Sequence, residues 1–332
     1  MNYENIRLYK SMYQVEGGFS RNLEALDPSK NYTGTELAGL DAFQRQLKRF
    51  DIKVAGAGSD VVAKFFQTSD SATLFPEYIA RAVSQGARDA SILDEIAASK
   101  TEIDSLDYRS IVTDLSDKDY ADAIAEGAAI PETNITLSNQ LVKLKKRGRM
   151  LRASYESIKF QRVDVVTVAL KQIGAYISKA QLKDAVDLLI NGLGAVPAAE
   201  VVTAGATLSY ADLLSLWGKF NDFDMSVLLA SPDMAQELLA LPEMRDAQAG
   251  LSFHSTGDMS TPFGAKLLRS NAVPAGKIIA LDKSFALEMV TAGGVSVEYD
   301  KLIDCQLERA AVTQICGFNK VFPEAVKVLA KA

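Results

Sequence analysis

Residues 119–191 constrain this chain more than any other stretch, because they join two elements that one compact globule has trouble satisfying alone. The first half runs from Asp119 through Glu126-Gly127-Ala128-Ala129-Ile130-Pro131-Glu132-Thr133-Asn134-Ile135 into a basic segment, Lys143-Leu144-Lys145-Lys146-Arg147-Gly148-Arg149. Around Asn134–Ser138 and Lys143–Lys145 polar and apolar residues alternate, the period of a strand, so the stretch reads as one extended hairpin. The second half, from about Tyr155 to Asn191, has helical periodicity, with Ile158, Val166, Leu170, Ile173, Ile177, Ala180, Val186 and Leu189 on one side. Arms of about 12 residues reach roughly 40 Å at the usual strand rise. A helix of about 35 residues spans roughly 50 Å. A compact chain of this size has a radius of gyration near ~20 Å. The hairpin must therefore fold back over its own body or reach onto a neighbour, and the residues leave both outcomes open.

Composition narrows the classes. The chain has 332 residues, 48% of them hydrophobic, enough for two or more folded lobes. Its 36 Lys+Arg against 42 Asp+Glu give a net charge of -6, so the molecule as a whole is not an obvious nucleic-acid binder. An acidic wall could still enclose DNA, since repulsion keeps the polymer off it. With only Cys305 and Cys316, a disulfide framework is not expected and a reducing compartment is. Met1–Lys10 carries charges and tyrosines and no secretory pattern, and no stretch approaches the ~20 apolar residues that span a bilayer.

Upstream, residues 1–35 read as an extended arm with turns at Gly17-Gly18 and Asp27-Pro28. Thr35 reads as the cap of a helix through Leu37, Leu40, Phe43 and Leu47, and Pro76 as the first turn of a helix through Tyr78 and Val83. Gly174 weakens the long helix by up to ~1 kcal/mol against alanine and suggests a bend, and Asn191-Gly192 ends it. Downstream, helices are expected over 208–220 and 232–241, with strands near 226–230, 266–268, 277–281, 286–290 and 295–299. Gly293-Gly294 reads as a hairpin turn between the last two. Leu302–Cys316 alternates over a long strand that Val326–Leu329 is expected to join.

Catalytic chemistry is thin. His254 is the single histidine, in an expected loop, which excludes HExxH, a two-histidine metal site and a C2H2 finger. There is no G-x-S-x-G elbow, no G-x-x-x-x-G-K-[ST] loop and no G-x-G-x-x-G opening a helix. Cys305 and Cys316 sit in strand-like apolar runs and read as buried thiols. No catalytic residue, metal or cofactor is expected. The basic run Lys143–Arg152 reads either as a phosphate contact or as a charged strand facing water or a neighbour's carboxylates. No aromatic residue is interleaved in it, so base stacking is not indicated.

The order of these parts resembles the major capsid protein of tailed double-stranded-DNA phages, the Hong Kong 97 type. Asp119–Arg152 looks like that family's E-loop, and Ser154–Asn191, with Arg162-Val163-Asp164 near its start, like its spine helix. Thr261-Pro262-Phe263-Gly264, Asn271-Ala272-Val273-Pro274-Ala275-Gly276 and Ala310-Ala311-Val312 resemble late landmarks. Ser71-Ala72-Thr73-Leu74-Phe75-Pro76-Glu77-Tyr78 resembles the run where the arm enters the shell in one subgroup. The resemblance covers roughly residues 70 to 330.

It implies an α+β, Hong Kong 97-type capsid fold in six parts: an N-terminal arm at 1–70, helical in part; the start of the P-domain at 71–118; the E-loop at 119–152; the spine helix at 153–196; a mixed α/β A-domain at 197–300; and P-domain return strands at 301–332. It also implies self-association into pentamers and hexamers of an icosahedral virion shell, assembled in the host cytoplasm around packaged DNA bound without sequence specificity. Scaffolding, portal and decoration proteins are the further partners it suggests, and no membrane. Contacts between subunits would use Ile130, Pro131, Ile135 and Leu137, with Lys143, Lys145, Lys146 and Arg147 fixing register. An encapsulin shell of the same fold is the alternative, and a cofactor-free cytosolic enzyme a third reading. Some relatives crosslink a lysine to an asparagine, for which Lys143, Lys145 or Lys146 and Asn319 are available.

Overall fold

The computed structural model describes residues 3–14, 18–113, 135–154, 160–245, 263–302 and 307–332. In chain order these form helices α1 (Gly18–Leu26), α2 (Ala42–Arg49) and α3 (Ser69–Asp89), then strands β1 (Ser99–Ile103), β2 (Ile111–Thr113), β3 (Ile135–Leu137) and β4 (Lys145–Ser154). Helix α4 (Val163–Asn191) leads to β5 (Glu200–Ala204), α5 (Tyr210–Trp217), β6 (Val227–Ala230) and α6 (Pro232–Ala240), with a last short helix α7 (Pro242–Arg245). Strands β7 (Lys266–Arg269), β8 (Lys277–Leu281), β9 (Leu287–Ala292), β10 (Ser296–Leu302), β11 (Leu307–Lys320) and β12 (Val326–Lys331) complete the chain. The chain divides into two units: residues 1–90, 147–178 and 295–314, and residues 91–146, 179–294 and 315–332.

The first unit is built on α3 and the first half of α4. Helix α3 starts where Thr68 accepts from Ser71 N and Ser71 Oγ accepts from Thr68 N, a reciprocal cap two turns ahead of Pro76. Pro76 thus lies inside the helix and not at its first turn. Its neighbours Leu74, Phe75 and Ile79 are buried with Phe65 and Tyr78. Helix α2 is capped by Asp41 and Gln44, so Thr35 is not its start; residues 35–40 turn instead. The expected extended arm is also corrected: Leu8, Met12, Phe19 and Leu23 are buried in the same core as α2 and α3.

A buried ion pair ties this N-terminal region together. Arg45 is 0% and Asp27 1% exposed, with Arg45 Nε donating to Asp27 Oδ2 at 2.6 Å. The Arg45 guanidinium also donates to Asp27 O and Leu40 O and lies over the Tyr32 ring. Arg45→Met should cost about 3–5 kcal/mol, because it strands the Asp27 carboxylate in the core. Urea unfolding checks this; a loss below about 1 kcal/mol would contradict it.

Helix α4 begins at Val163, later than the sequence reading of Ser154 or Tyr155. The reason is an antiparallel bridge between Val61 and Arg162, in which Val62 N donates to Gln161 O and Val163 N to Asp60 O. Gly174 proves to be a packing device. A Cβ built there would lie 2.6 Å from Ala87 N, and one built at Gly86 would lie 2.6 Å from Lys171 C. The two glycines let the backbones of α3 and α4 touch. In the same unit β4 pairs with β11, and β10 pairs antiparallel with β11 from Ser296↔Thr313 to Leu302↔Leu307. Because β10 does not pair with β9, Gly293-Gly294 is not the hairpin turn expected.

The second unit holds a five-stranded mixed sheet in the order β5-β12-β8-β6-β7. Strand β12 therefore joins β5 and β8, not the long strand β11 as expected. Strand β8 reads Lys-Ile-Ile-Ala-Leu, and Ile278–Leu281 are all fully buried. Ile279 and Leu281 pack with Leu189 and Val328, while Ile278 and Ala280 pack with Leu213, Met234 and Leu238. Both faces of the sheet are covered, which is why the run is continuously apolar. Strand β9 pairs parallel with β1 and antiparallel with residues 316–320 of β11. Strands β2 and β3 form a separate antiparallel ribbon.

Candidate functional site

The ribbon starts from its register. Ile111 stands opposite Leu137 and Thr113 opposite Ile135. Period-two alternation then puts Ile111, Ile135 and Leu137 on one face. None of them is covered: Ile111 is 49% exposed and Ile135 and Leu137 66% each, with Leu141 at 52% just beyond. The expected hairpin of β3 with the basic segment is corrected. Ser138 N donates to Ser110 O at 2.8 Å and Val142 N to Tyr108 O at 2.8 Å, prolonging the β2–β3 pairing, so β4 pairs elsewhere.

What holds this ribbon is polar. Glu288, on β9, is buried and accepts from Thr101 Oγ1 at 2.9 Å, Tyr108 Oη at 2.6 Å and the Ser110 hydroxyl. Burial, then the hydrogen bond to Glu288, raises the Tyr108 pKa, keeping its proton on that bond. Beyond β3, Gln140 Oε1 accepts from Ala195 N at 2.9 Å. Gly194 has φ +65°, and a Cβ there would sit 3.0 Å from Gln140 Cδ, so glycine fits both the turn and the amide against it.

A groove of about 580 Å³ opens beside the ribbon, among residues 136–143, the turn at 193–197 and the end of β11. Leu137, Lys143, Asn319 and Lys320 are among its lining. A smaller cleft of about 190 Å³ brings Lys143 and Lys145 together with Asp184, Asp187 and Cys316. There Lys145 Nζ lies 2.7 Å from Asp184 Oδ1. Burial, followed by the Asp184 charge, pushes the Cys316 thiol up to about 12, so it stays protonated and inert.

The residues singled out from sequence thus divide. Ile135, Leu137 and Lys143 converge on the ribbon and its groove. Lys145 is spent on Asp184, Lys146 is exposed on β4, and Arg147 is half-buried there. Further along β4 the Arg149 guanidinium lies 3.9 Å over the Tyr176 ring, in the first unit. Ile130, Pro131, His254 and Cys305 lie outside the described residues. Among the described residues no group of acidic, histidine or cysteine side chains could hold a metal, and no helix is long and apolar enough to cross a membrane. Sequence reading missed Glu288, Gln140 and Lys320. Lys320 was detectable, because it shares the even-numbered, inward register of Val312, Cys316 and Phe318 on β11.

A family model described as phage capsid protein matches residues 138–302. Among solved structures, the capsid of a native GTA particle matches with a TM-score of 0.53 at 16% identity, covering 73% of this chain and 90% of that one. A Microbacterium phage Oxtober96 chain matches with a TM-score of 0.53 at 14% identity, covering 73% and 91%. The virus-like particle from Pyrococcus furiosus matches with a TM-score of 0.51 at 12% identity, covering 76% and 98%. No curated protein matches. The fold is the Hong Kong 97-type capsid fold, in agreement with the resemblance read from the order of motifs.

Proposed function

We propose that this chain, of Hong Kong 97-type capsid fold, is the major capsid protein of a tailed double-stranded-DNA bacteriophage, and that it assembles through pentamers and hexamers into an icosahedral shell around the genome. The observation that carries this reading is the uncovered apolar face of Ile111, Ile135 and Leu137 on a ribbon whose root is firmly bonded. An exposed apolar ribbon on a rigid base is poised for a partner, and burying it yields about 25 cal/mol per Å². In this reading residues 119–152 are the E-loop with a root reaching back to Ile111, α4 is the spine helix, and 197–300 form the A-domain. Residues Ile130 and Pro131 would join Ile135 and Leu137 across the neighbour, with Lys143, Lys145, Lys146 and Arg147 setting register. The N-terminal 70 residues then act as a docked arm. Scaffolding, portal and decoration proteins are its further partners, the packaged DNA is enclosed without sequence preference, and the virion is its location after assembly in the host cytoplasm.

Negative-stain electron microscopy of the purified protein tests this. Closed shells are expected, and when assembled in phage-infected cells they should protect DNA from nuclease. A discrete small oligomer on size exclusion, with no particles at any concentration, would refute it. A second reading, an encapsulin compartment, draws support from the match to the virus-like particle. Particles filled with one cargo protein and no DNA would favour it.

A further inference from the structure

Lys320 is 3% exposed and carries an ammonium with no carboxylate paired to it among the described residues. Its one hydrogen bond goes from Nζ to Pro197 O at 2.8 Å. Burial pulls its pKa down to about 8, with no acidic neighbour among the described residues holding it up. Pro197 and Lys320 both line the 580 Å³ groove, along with Lys143, and among the described residues no aspartate or glutamate does. The rest of the lining divides by chemistry: Asn139, Gln140 and Asn319 are polar, whereas Leu137 and Leu141 are exposed apolar residues. A buried cation with one hydrogen bond, in a groove with no acid among its described lining, is an expensive arrangement for an isolated chain.

We infer that this groove receives a carboxylate side chain from a second copy of the chain, with the Lys320 ammonium as its counterion. The inference rests on the shell reading and goes further by naming a receiving site and the chemistry of what enters it. A free inorganic anion would leave Leu137 and Leu141 in water, whereas an acidic side chain on an apolar segment satisfies both parts of the groove. A second copy brings carboxylates in excess of cations, with 42 acidic residues against 36 basic ones. Docking converts an unpaired buried charge into a paired one, so the groove favours the assembled state over the free subunit.

Three measurements decide it. In a cryo-electron microscopy reconstruction of assembled particles, a carboxylate of a neighbouring copy should lie within about 4 Å of Lys320 Nζ. The Lys320→Met variant should need at least tenfold more protein to assemble, and Lys320→Arg less than that. The free Lys320→Met subunit should melt no lower than wild type, since it loses an uncompensated charge; loss of a merely structural lysine would lower the melting point as it raised the assembly concentration. Shells in which the groove holds solvent, an apolar side chain or the subunit's own residues overturn this inference and leave the shell reading intact. So does Lys320→Met assembling at wild-type concentration. A wild-type chain that forms no particles removes both.

Discussion

Replacing Ile135 and Leu137 together by aspartate should abolish particle formation while leaving the subunit folded. Each side chain is 66% exposed, so the free subunit loses almost no packing and its circular dichroism and melting point should stay near wild type. In an interface the same two positions would bury carboxylates without partners, at a cost of several kcal/mol each. About 1.4 kcal/mol is a factor of ten in association, so even ~3 kcal/mol per contact raises the assembly threshold by more than 100-fold. A closed shell repeats the contact at every copy, which compounds the loss. Substituting valine at Ile135 keeps an apolar, strand-forming side chain and should assemble normally. Wild-type-sized shells from the double aspartate variant, seen by electron microscopy, would sink the assignment of this face.

The second large effect is on stability. Gly174→Ala should destabilise the first unit although alanine is the better helix former. The propensity gain is about 1 kcal/mol. Against it, the new methyl group would meet the backbone of α3, with Ala87 N at 2.6 Å and Val83 O closer still. Backbone cannot rotate aside as a side chain can, so the helices must separate by about 1 Å and forfeit contact along their crossing. Overpacking of this kind costs up to about 3 kcal/mol, and this site belongs at or above that end. Gly86→Ala should behave alike, since its Cβ meets Lys171 backbone. The double variant should lose less than the two losses added, because one separation relieves both clashes. Chemical denaturation of the three variants measures the cycle; a Gly174→Ala protein more stable than wild type would show that the crossing is loose.

The long helix, its end at Asn191 and strands β6, β7, β8 and β9 were legible because their periodicities are dictated by packing on one side or two, whereas β5 was not anticipated. The apolar set Leu170, Ile177, Val186 and Leu189 is buried as the 3.6-residue period requires. Pairing partners were not legible. Alternation identifies β3 as a strand, but the choice of β2 over β4 depends on backbone bonds to Tyr108 and Ser110, which leave no mark in residue type. Gly174 misled for the opposite reason: within one helix it looks like a weakness, and its purpose is visible only from α3. At the candidate site the apolar face showed in Ile135 and Leu137, but the residues fixing its root did not. A glutamate on β9 looks ordinary until three hydroxyls from residues 101–110 are found on it.

Strand β8 is a party wall between two apolar compartments. Ile279 and Leu281 furnish one room, Ile278 and Ala280 the other, with a single backbone between them. A methylene added or removed on one side moves that backbone and is felt in the room next door. Drift in either compartment is therefore bounded by what its neighbour tolerates, and substitutions at adjacent positions of this strand should be found in compensating pairs more often than alone.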